Sequence, residues 1–147
     1  MEETHYRHEY KYPLTNGQIL IEDAKISAVA CKDPHAGEKG FYNIRSLYFD
    51  DYDNSCYMDN VNGSDNREKY RIRIYNGSTD RISLELKQKI RGKTSKSACL
   101  ITLSQCEQLM QGIIPGNIRP EQRVLHKLSY LMAARLMRPA VIVDYDR

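Results

Sequence analysis

The sequence predicts an α+β domain in which an antiparallel β-barrel carries helices packed on its outside. Three stretches alternate between charged residues and aliphatic or aromatic residues, which is typical of strands whose two faces meet different surroundings. Other stretches have apolar residues at helical spacing. Because the charges share one face of each strand, a barrel with a charged interior and an apolar exterior under helices accounts for both patterns.

The clearest pair of strands lies between residues 68 and 91, around an Asn-Gly turn. One face of this pair is mostly charged: Lys69, Arg71, Arg73, Tyr75, Glu85, Lys87, Lys89 and Arg91. The other face is aliphatic: Ile72, Ile74, Ile82, Leu84 and Leu86. Guanidinium and ammonium groups in rows on neighbouring strands are suited to holding several phosphates. The alternative is an ordinary solvated surface, since charged residues are mostly exposed.

The remaining elements follow from local patterns in chain order. Before the central pair we predict a strand over 5–12, a helix over 18–31 capped by Thr15 or Asn16, a loop over 32–40, a strand over 42–50 and a helical or turn segment near 53–60. After it we predict a strand over 94–103, a short helix from its cap Ser104 to Gln111, a helix over 121–137 ended by Pro139, and a strand over 140–145. The helix over 121–137 has the most regular apolar stripe, so we expect it to pack on the outside of the barrel.

The composition is that of a single domain, 1–147, without a membrane span. A formal net charge of +3 is too small to argue by itself for a polyanionic partner. No apolar stretch approaches the roughly 18 residues of a membrane-spanning helix. The first residues also lack the apolar core of a signal peptide, so we expect a cytoplasmic location. The four cysteines show no Cys-x-x-Cys spacing, which does not favour a zinc site or a disulfide framework.

Five short motifs occur in a fixed order along the chain: RHEYKY at 7–12, IRSLYFD at 44–50, KYRIRIY at 69–75, LELK at 84–87 and DYDR at 144–147. In this order and spacing they resemble the vacuolar transporter chaperone (VTC) domain, the polyphosphate polymerase branch of the triphosphate tunnel metalloenzymes. The resemblance implies a closed antiparallel tunnel whose inward basic residues grip a nucleotide triphosphate and a polyphosphate chain. It also implies that this chain corresponds to the N-terminal half of the domain, and hence to an incomplete half-tunnel.

The resemblance carries site residues over position by position. It implies phosphate binding by seven residues: Lys11, Arg71, Arg73, Lys87, Lys96, Tyr145 and Arg147. Among these, Arg71, Arg73 and Lys87 are the expected catalytic residues, and Lys93 competes with Lys96 for its role. Glu9 and Glu85 match inward carboxylates that help position a metal, for which we expect Mg²⁺ or Mn²⁺.

The first strand departs from the wider superfamily at one position. That strand usually reads Glu-x-Glu-x-Lys, whereas this chain has Arg7 in the first place. The exchange replaces a metal ligand with a phosphate binder, and it therefore favours the polymerase branch over the triphosphate hydrolases. A plain charge at the edge of the strand is the alternative role for Arg7.

The resemblance implies phosphoryl transfer from a nucleoside triphosphate to polyphosphate, so these two molecules are the expected partners. A tri- or polyphosphate hydrolase is one alternative, and a non-catalytic module that binds polyphosphate or inositol phosphates is another. We do not expect nucleic acid as a partner, because Tyr75 is the only aromatic residue aligned with Arg71 and Arg73. A half-tunnel has open sheet edges, which predict self-association or a partner that completes the tunnel. We expect this half to bind polyphosphate more readily than it catalyses.

Overall fold

A computed structural model describes residues 6–147, in which five antiparallel strands form one sheet in the order β4-β3-β2-β1-β5. The strands are β1 (Asn43–Asp50), β2 (Arg67–Tyr75), β3 (Ser78–Ile90), β4 (Lys93–Ile101) and β5 (Arg138–Asp146). The helices are α1 (Asn16–Ser27), α2 (Ser55–Val61), α3 (Leu103–Met110) and α4 (Arg123–Arg135), with a 3₁₀ turn at Pro34–Ala36. The α+β antiparallel fold is confirmed. Within the described residues the sheet is open rather than closed into a barrel.

The hairpin of β2 and β3 has the predicted turn. Asn76 and Gly77 both have positive φ, +50° and +70°, which is typical of a type I′ hairpin turn. Beyond a register shift between Arg73 and Tyr75, the strands pair with Arg71 opposite Glu85 and Lys69 opposite Lys87. Side chains of directly opposed residues lie on the same face of a sheet, so the predicted division into a charged face and an aliphatic face is confirmed for the residues within the two strands. Arg91 was predicted on the charged face, but it lies in the turn after β3 with a φ of +50°.

The aliphatic face of the sheet forms the core with α3 and α4. Ile72 and Leu84 from the strands are buried against Leu109 of α3 and Leu125 and Leu128 of α4. This is the packing predicted from the apolar stripe of the last helix. The helices α3 and α4 therefore cover one face of the sheet, and the charged side chains lie on the other, whereas α1 has no buried residue.

The N-terminal segment contradicts the predicted strand over 5–12. Arg7 forms an isolated antiparallel bridge with Thr94 of β4, through two backbone hydrogen bonds of 2.9 Å. The following residues have no strand pairing, and Tyr10 and Tyr12 are exposed. Alternation alone does not make a strand, because a ladder needs a partner edge along its whole length. His5 lies outside the described residues.

Several helix boundaries also differ from the sequence prediction. The first helix has Thr15 as its cap, one of the two candidates, but it ends at Ser27. The N-cap of α3 is Thr102 rather than Ser104, because Thr102 and Gln105 form a reciprocal capping box. The last helix ends at Arg135, well before Pro139. The next residue adopts a left-handed conformation, and Pro139 lies in the edge strand β5, where its missing N–H is tolerated.

No helix among residues 6–147 is long and apolar enough to cross a bilayer.

Replacing Leu128 by alanine should lower the free energy of unfolding by about 2–5 kcal/mol, because Leu128 is fully buried between α4 and the sheet. The matched control on the same helix is Tyr130→Ala, whose side chain is exposed and should change the value by less than about 0.5 kcal/mol. Urea unfolding followed by circular dichroism measures both. Equal losses in the two variants would contradict the assigned orientation of α4.

Candidate functional site

A single buried carboxylate organises the centre of the charged face. Glu85 of β3 lies opposite Arg71 of β2, and its Oε2 accepts a hydrogen bond from Arg71 Nε at 2.8 Å and lies 2.7 Å from Arg71 Nη2 in an ion pair. Arg73 Nη1 lies 3.6 Å from the same oxygen. The side chains of Glu85 and Arg73 are 4% and 7% exposed, and that of Arg71 is 16% exposed. Two guanidinium groups are therefore held almost out of solvent by one negative charge.

Neighbouring strands complete the contacts of the two guanidinium groups. Arg71 donates to the hydroxyl of Tyr48 on β1 at 3.2 Å, and its guanidinium lies over the Tyr48 ring at 5.9 Å from the centroid. Arg73 donates to the hydroxyl of Tyr145 on β5 at 3.2 Å and to Ser46 Oγ at 3.5 Å. The guanidinium orientations are thus set by four strands together.

The register of β4 separates the two candidate lysines. Lys96 is opposite Lys87 and lies on the charged face, where its Nζ is 3.0 Å from Glu85 Oε1. Lys93 is opposite Ile90 and lies three residues from Lys96, an odd number that puts it on the other face. Of the two lysines that the sequence left as alternatives, only Lys96 lies on the same face as Arg71 and Arg73.

The N-terminal segment passes over the charged face and adds further ionic groups. Lys87 Nζ donates to Glu9 Oε2 at 2.5 Å, in a pair that is about one-third exposed. The bridge between Arg7 and Thr94 fixes this segment beside β4. Glu9 and Lys11 are thereby brought to the site although they belong to no strand.

One cavity of about 440 Å³ collects these side chains. Its lining comprises seven basic residues, one carboxylate residue and two hydroxyl residues: Arg7, Lys11, Arg71, Arg73, Lys87, Lys96, Arg147, Glu9, Thr94 and Tyr145. Eight of the nine site residues predicted from the sequence line this cavity. The ninth, Glu85, contacts Arg71, Arg73 and Lys96 on the same face. We call this space the phosphate cavity, in view of its charge.

The carboxylates of the site stay ionised because of their neighbours. Burial alone would raise the pKa of Glu85, but the charge of Arg71 and the hydrogen bonds from Lys96 and Arg71 lower it below its usual value. The hydrogen bond from Lys87 likewise lowers the pKa of Glu9. Both carboxylates are therefore negatively charged near neutral pH and hold their basic partners in place.

Sequence reasoning missed Ser46 and Tyr48 as parts of the site. Both lie in the motif IRSLYFD, at alternate positions that face Arg73 and Arg71 across the β1–β2 ladder. The period of two along that motif was the available signal, because it puts Ser46 and Tyr48 on one face. That period did not show which face of β1 joins the charged face of β2, because the charged residue Arg45 lies on the face opposite Ser46 and Tyr48. In the structure Arg45 pairs with Asp144 of β5.

The family profile of the VTC domain matches residues 6–147. The chain belongs to the VTC domain family. It is also similar in structure to a proposed adenylate cyclase from Bacillus halodurans, with a TM-score of 0.53 and 15% sequence identity. That match covers 91% of this chain and 60% of the other chain. No curated protein matches the chain significantly.

The structural likeness shows the fold alone at this identity. The chain shares its α+β antiparallel fold with that neighbour, and its open five-stranded sheet agrees with the incomplete half-tunnel expected from the sequence. The chain spans about 60% of the length of that neighbour. Activity and substrates therefore have to be argued from the phosphate cavity itself.

Divalent metals are common in the triphosphate tunnel superfamily, and the described residues offer limited ligands for one. No group of three or more His, Cys, Asp or Glu side chains suited to a metal ion occurs within 6–147. Both oxygens of Glu85 contact basic side chains, whereas Glu9 contacts Lys87 through Oε2 and is partly exposed in the phosphate cavity. A single carboxylate fits Mg²⁺ only if phosphates and water supply the other oxygens, as they usually do for this ion.

Substituting Glu85 by glutamine should lower the free energy of unfolding by about 3 kcal/mol near neutral pH, because two buried guanidinium groups would lose their counter-charge. The pKa of Glu85 is lowered in the folded chain, so its contribution is fully present above the unfolded pKa of about 4.3. That contribution disappears as the pH falls through the folded pKa. The difference between the parent and the variant should therefore be constant above about pH 5 and shrink below about pH 4.

Urea unfolding across this pH range tests the role of Glu85. The control is Glu22→Gln, which removes an exposed pair with Lys25 on α1 and should cost less than about 0.5 kcal/mol. A difference that grows on acidification would refute the assignment of Glu85 as the ionised centre of the site.

Proposed function

We propose that this VTC chain supplies the basic half of a site that transfers the terminal phosphate of a nucleoside triphosphate to inorganic polyphosphate. One observation carries the proposal: seven basic residues and a single carboxylate residue line the phosphate cavity, with Arg71 and Arg73 already oriented by Glu85. Membership of the VTC family supports it. A row of phosphates is the ligand whose charge and repeat this lining complements.

The buried positive charge favours an anion in the cavity. Arg71, Arg73 and Lys96 share one carboxylate, so their charge is only partly neutralised. A phosphate oxygen can accept two hydrogen bonds from one guanidinium group, while a lysine acts as a point charge. Since the arginines are held in place before any ligand arrives, little conformational freedom is lost when phosphates bind.

Phosphoryl transfer places few covalent demands on the protein. In the proposed reaction a terminal oxygen of polyphosphate attacks the γ-phosphorus, and the bond from that phosphorus to the β,γ-bridging oxygen breaks. The products are polyphosphate one unit longer and a nucleoside diphosphate. Arg71, Arg73 and Lys87 would hold the reacting phosphates in line and compensate the charge on their oxygens as the bond loosens.

We propose Mg²⁺ or Mn²⁺ as the metal, with Glu9 as its protein ligand next to phosphate oxygens and water. When bound, such an ion adds positive charge to the phosphates and draws them into one geometry. Glu85 is left to its role as the partner of the arginines. We also propose a cytoplasmic location, the compartment that holds the nucleoside triphosphate pool.

The exposed edge of the sheet is a proposed assembly surface. β5 is the last strand in the sheet order and pairs only with β1 within the described chain. Its residues Val141 and Ile142 are exposed. An edge strand of this kind can add a further strand from a second copy or from a partner that completes the tunnel.

Replacing Lys87 by alanine should weaken the binding of tripolyphosphate by about tenfold, because a charge-assisted contact in the phosphate cavity is lost. The loss should be larger at low salt, where charges are less screened. The matched control is Arg123→Ala, which removes the same charge from α4 on the opposite side of the sheet. Calorimetry at two salt concentrations measures both, and equal affinities in the two variants would contradict the proposed cavity.

The products formed from ATP and from tripolyphosphate distinguish the candidate activities. Polyphosphate chains and ADP would support the polymerase. Free phosphate released from tripolyphosphate would favour a hydrolase of the same superfamily instead. Binding that depends on Lys87 without either product would favour a non-catalytic polyphosphate-binding module.

A further inference from the structure

Two further cavities flank the phosphate cavity on the same face of the sheet. One, of about 660 Å³, shares Lys96 and Arg147 with it and contains Tyr42 and Tyr75. We call this cavity the tyrosine end. The other, of about 330 Å³, shares Lys87 with the phosphate cavity and is lined by basic residues that include Lys69 and Lys89. We call it the lysine end.

The three cavities follow one another along the strands. On β3 the charged face runs through Ser83, Glu85, Lys87 and Lys89 in that order. Ser83 lines the tyrosine end, Lys87 lines the phosphate cavity, and Lys89 lines the lysine end. At about 3.4 Å per residue, Ser83 and Lys89 are about 20 Å apart along the strand. The phosphate cavity therefore lies between two chemically different ends.

The tyrosine end presents aromatic rings beside the phosphate cavity. The ring centroids of Tyr42 and Tyr75 are 6.0 Å apart with a 49° angle between their planes. Tyr42 is buried, and its hydroxyl donates to Asp33 at 3.0 Å, which fixes its ring. Tyr75 is 36% exposed and so offers part of its ring to the cavity. A flat heterocycle can stack on such a surface whatever its hydrogen-bonding pattern.

The two ends differ in charge as well. Three carboxylates and three basic residues line the tyrosine end: Asp33, Asp80, Glu85, Arg81, Lys96 and Arg147. Hydrogen bonds from the backbone and ring of His35 lower the pKa of Asp33 to about 2, so this group is negative at neutral pH. At the lysine end five basic residues accompany one glutamate. Burial lowers the pKa of Lys69 there, and the like charge of Arg67 lowers it further, which shows the crowding of positive charge.

We propose that the tyrosine end binds the nucleoside of the triphosphate, and that the polyphosphate chain extends from the phosphate cavity toward the lysine end. The inference rests on the proposed function, and it assigns the base to Tyr75 and the ribose hydroxyls to Asp80. The carboxylates of the tyrosine end balance its basic residues, so a phosphate chain is attracted less there than at the lysine end, whereas the binding of a neutral nucleoside does not depend on net charge. The lysine end lacks an aromatic residue in its lining, and five of its nine lining residues are basic.

The test compares ATP with tripolyphosphate by calorimetry on the full chain and its variants. Tyr75→Leu should weaken the binding of ATP about tenfold, because one stacking surface is lost, and change the affinity for tripolyphosphate less than about twofold. Tyr75→Phe should restore the affinity for ATP, since it keeps the ring. Tyr130→Leu makes the same change at an exposed position on α4 and is the control. The circular dichroism spectrum and the melting temperature establish that each variant is folded.

A second pair of ligands tests the opposite end. The double variant Lys69→Gln/Lys89→Gln should weaken the binding of a long polyphosphate chain several-fold more than it weakens the binding of ATP. Equal effects of Tyr75→Leu on ATP and on tripolyphosphate would overturn the inference, and so would no effect on ATP. In both cases the phosphate cavity would stand, because the parent still binds tripolyphosphate. A parent that binds no tripolyphosphate would overturn the proposed function and this inference together.

Discussion

The contact of Glu85 with Arg71, Arg73 and Lys96 is the interaction on which the rest of the site depends. Removing several charges from water is costly, and the cost is tolerable only where the charges are paired and hydrogen-bonded. Glu85 lies within 2.7–3.0 Å of the cationic groups of Arg71 and Lys96. The hydroxyls of Tyr48 and Tyr145 accept one hydrogen bond each, from Arg71 and Arg73. The same contacts that make burial tolerable also fix the direction of each donor. The stability of these basic groups in the fold and their orientation therefore have one physical origin.

That arrangement leaves positive charge in excess, so the free site is strained electrostatically and a polyanion relieves it. Replacing the carboxylate by a neutral group would increase the attraction for phosphate, but it would release the arginines from their positions. Keeping one carboxylate among several cations is a compromise between affinity and geometry. Any anion that binds the folded chain alone also stabilises it by mass action, so the fold and the ligand are thermodynamically linked.

Much of this site follows from the sequence because alternation along β2 and β3 determines which side chains share a face. The Asn76-Gly77 turn does not by itself give the register of the site residues, because the pairing of the two strands shifts between Arg73 and Tyr75. The choice between Lys93 and Lys96 could not be made that way, since it depends on how the turn around Gly92 passes the chain from β3 into β4. The strand over 5–12 was predicted wrongly because its residues alternate as in a strand, whereas in the described part of this segment only Arg7 pairs with β4. Local pattern predicts well which side chains share a face, but it does not predict which residues of neighbouring strands lie opposite each other.

The distribution of arginine and lysine along the charged face suits the proposed reaction. The two arginines lie at the centre, buried and fixed by several hydrogen bonds, where the reacting phosphates must be held in one geometry. Lysines such as Lys69 and Lys89 lie toward one end, where a growing chain has to move on after each transfer. A lysine attracts phosphate without requiring a particular angle, so a chain can advance past it by exchanging one contact for the next. Fixed guanidinium groups at the centre and compliant ammonium groups beside them would thus meet the two different demands of the proposed reaction.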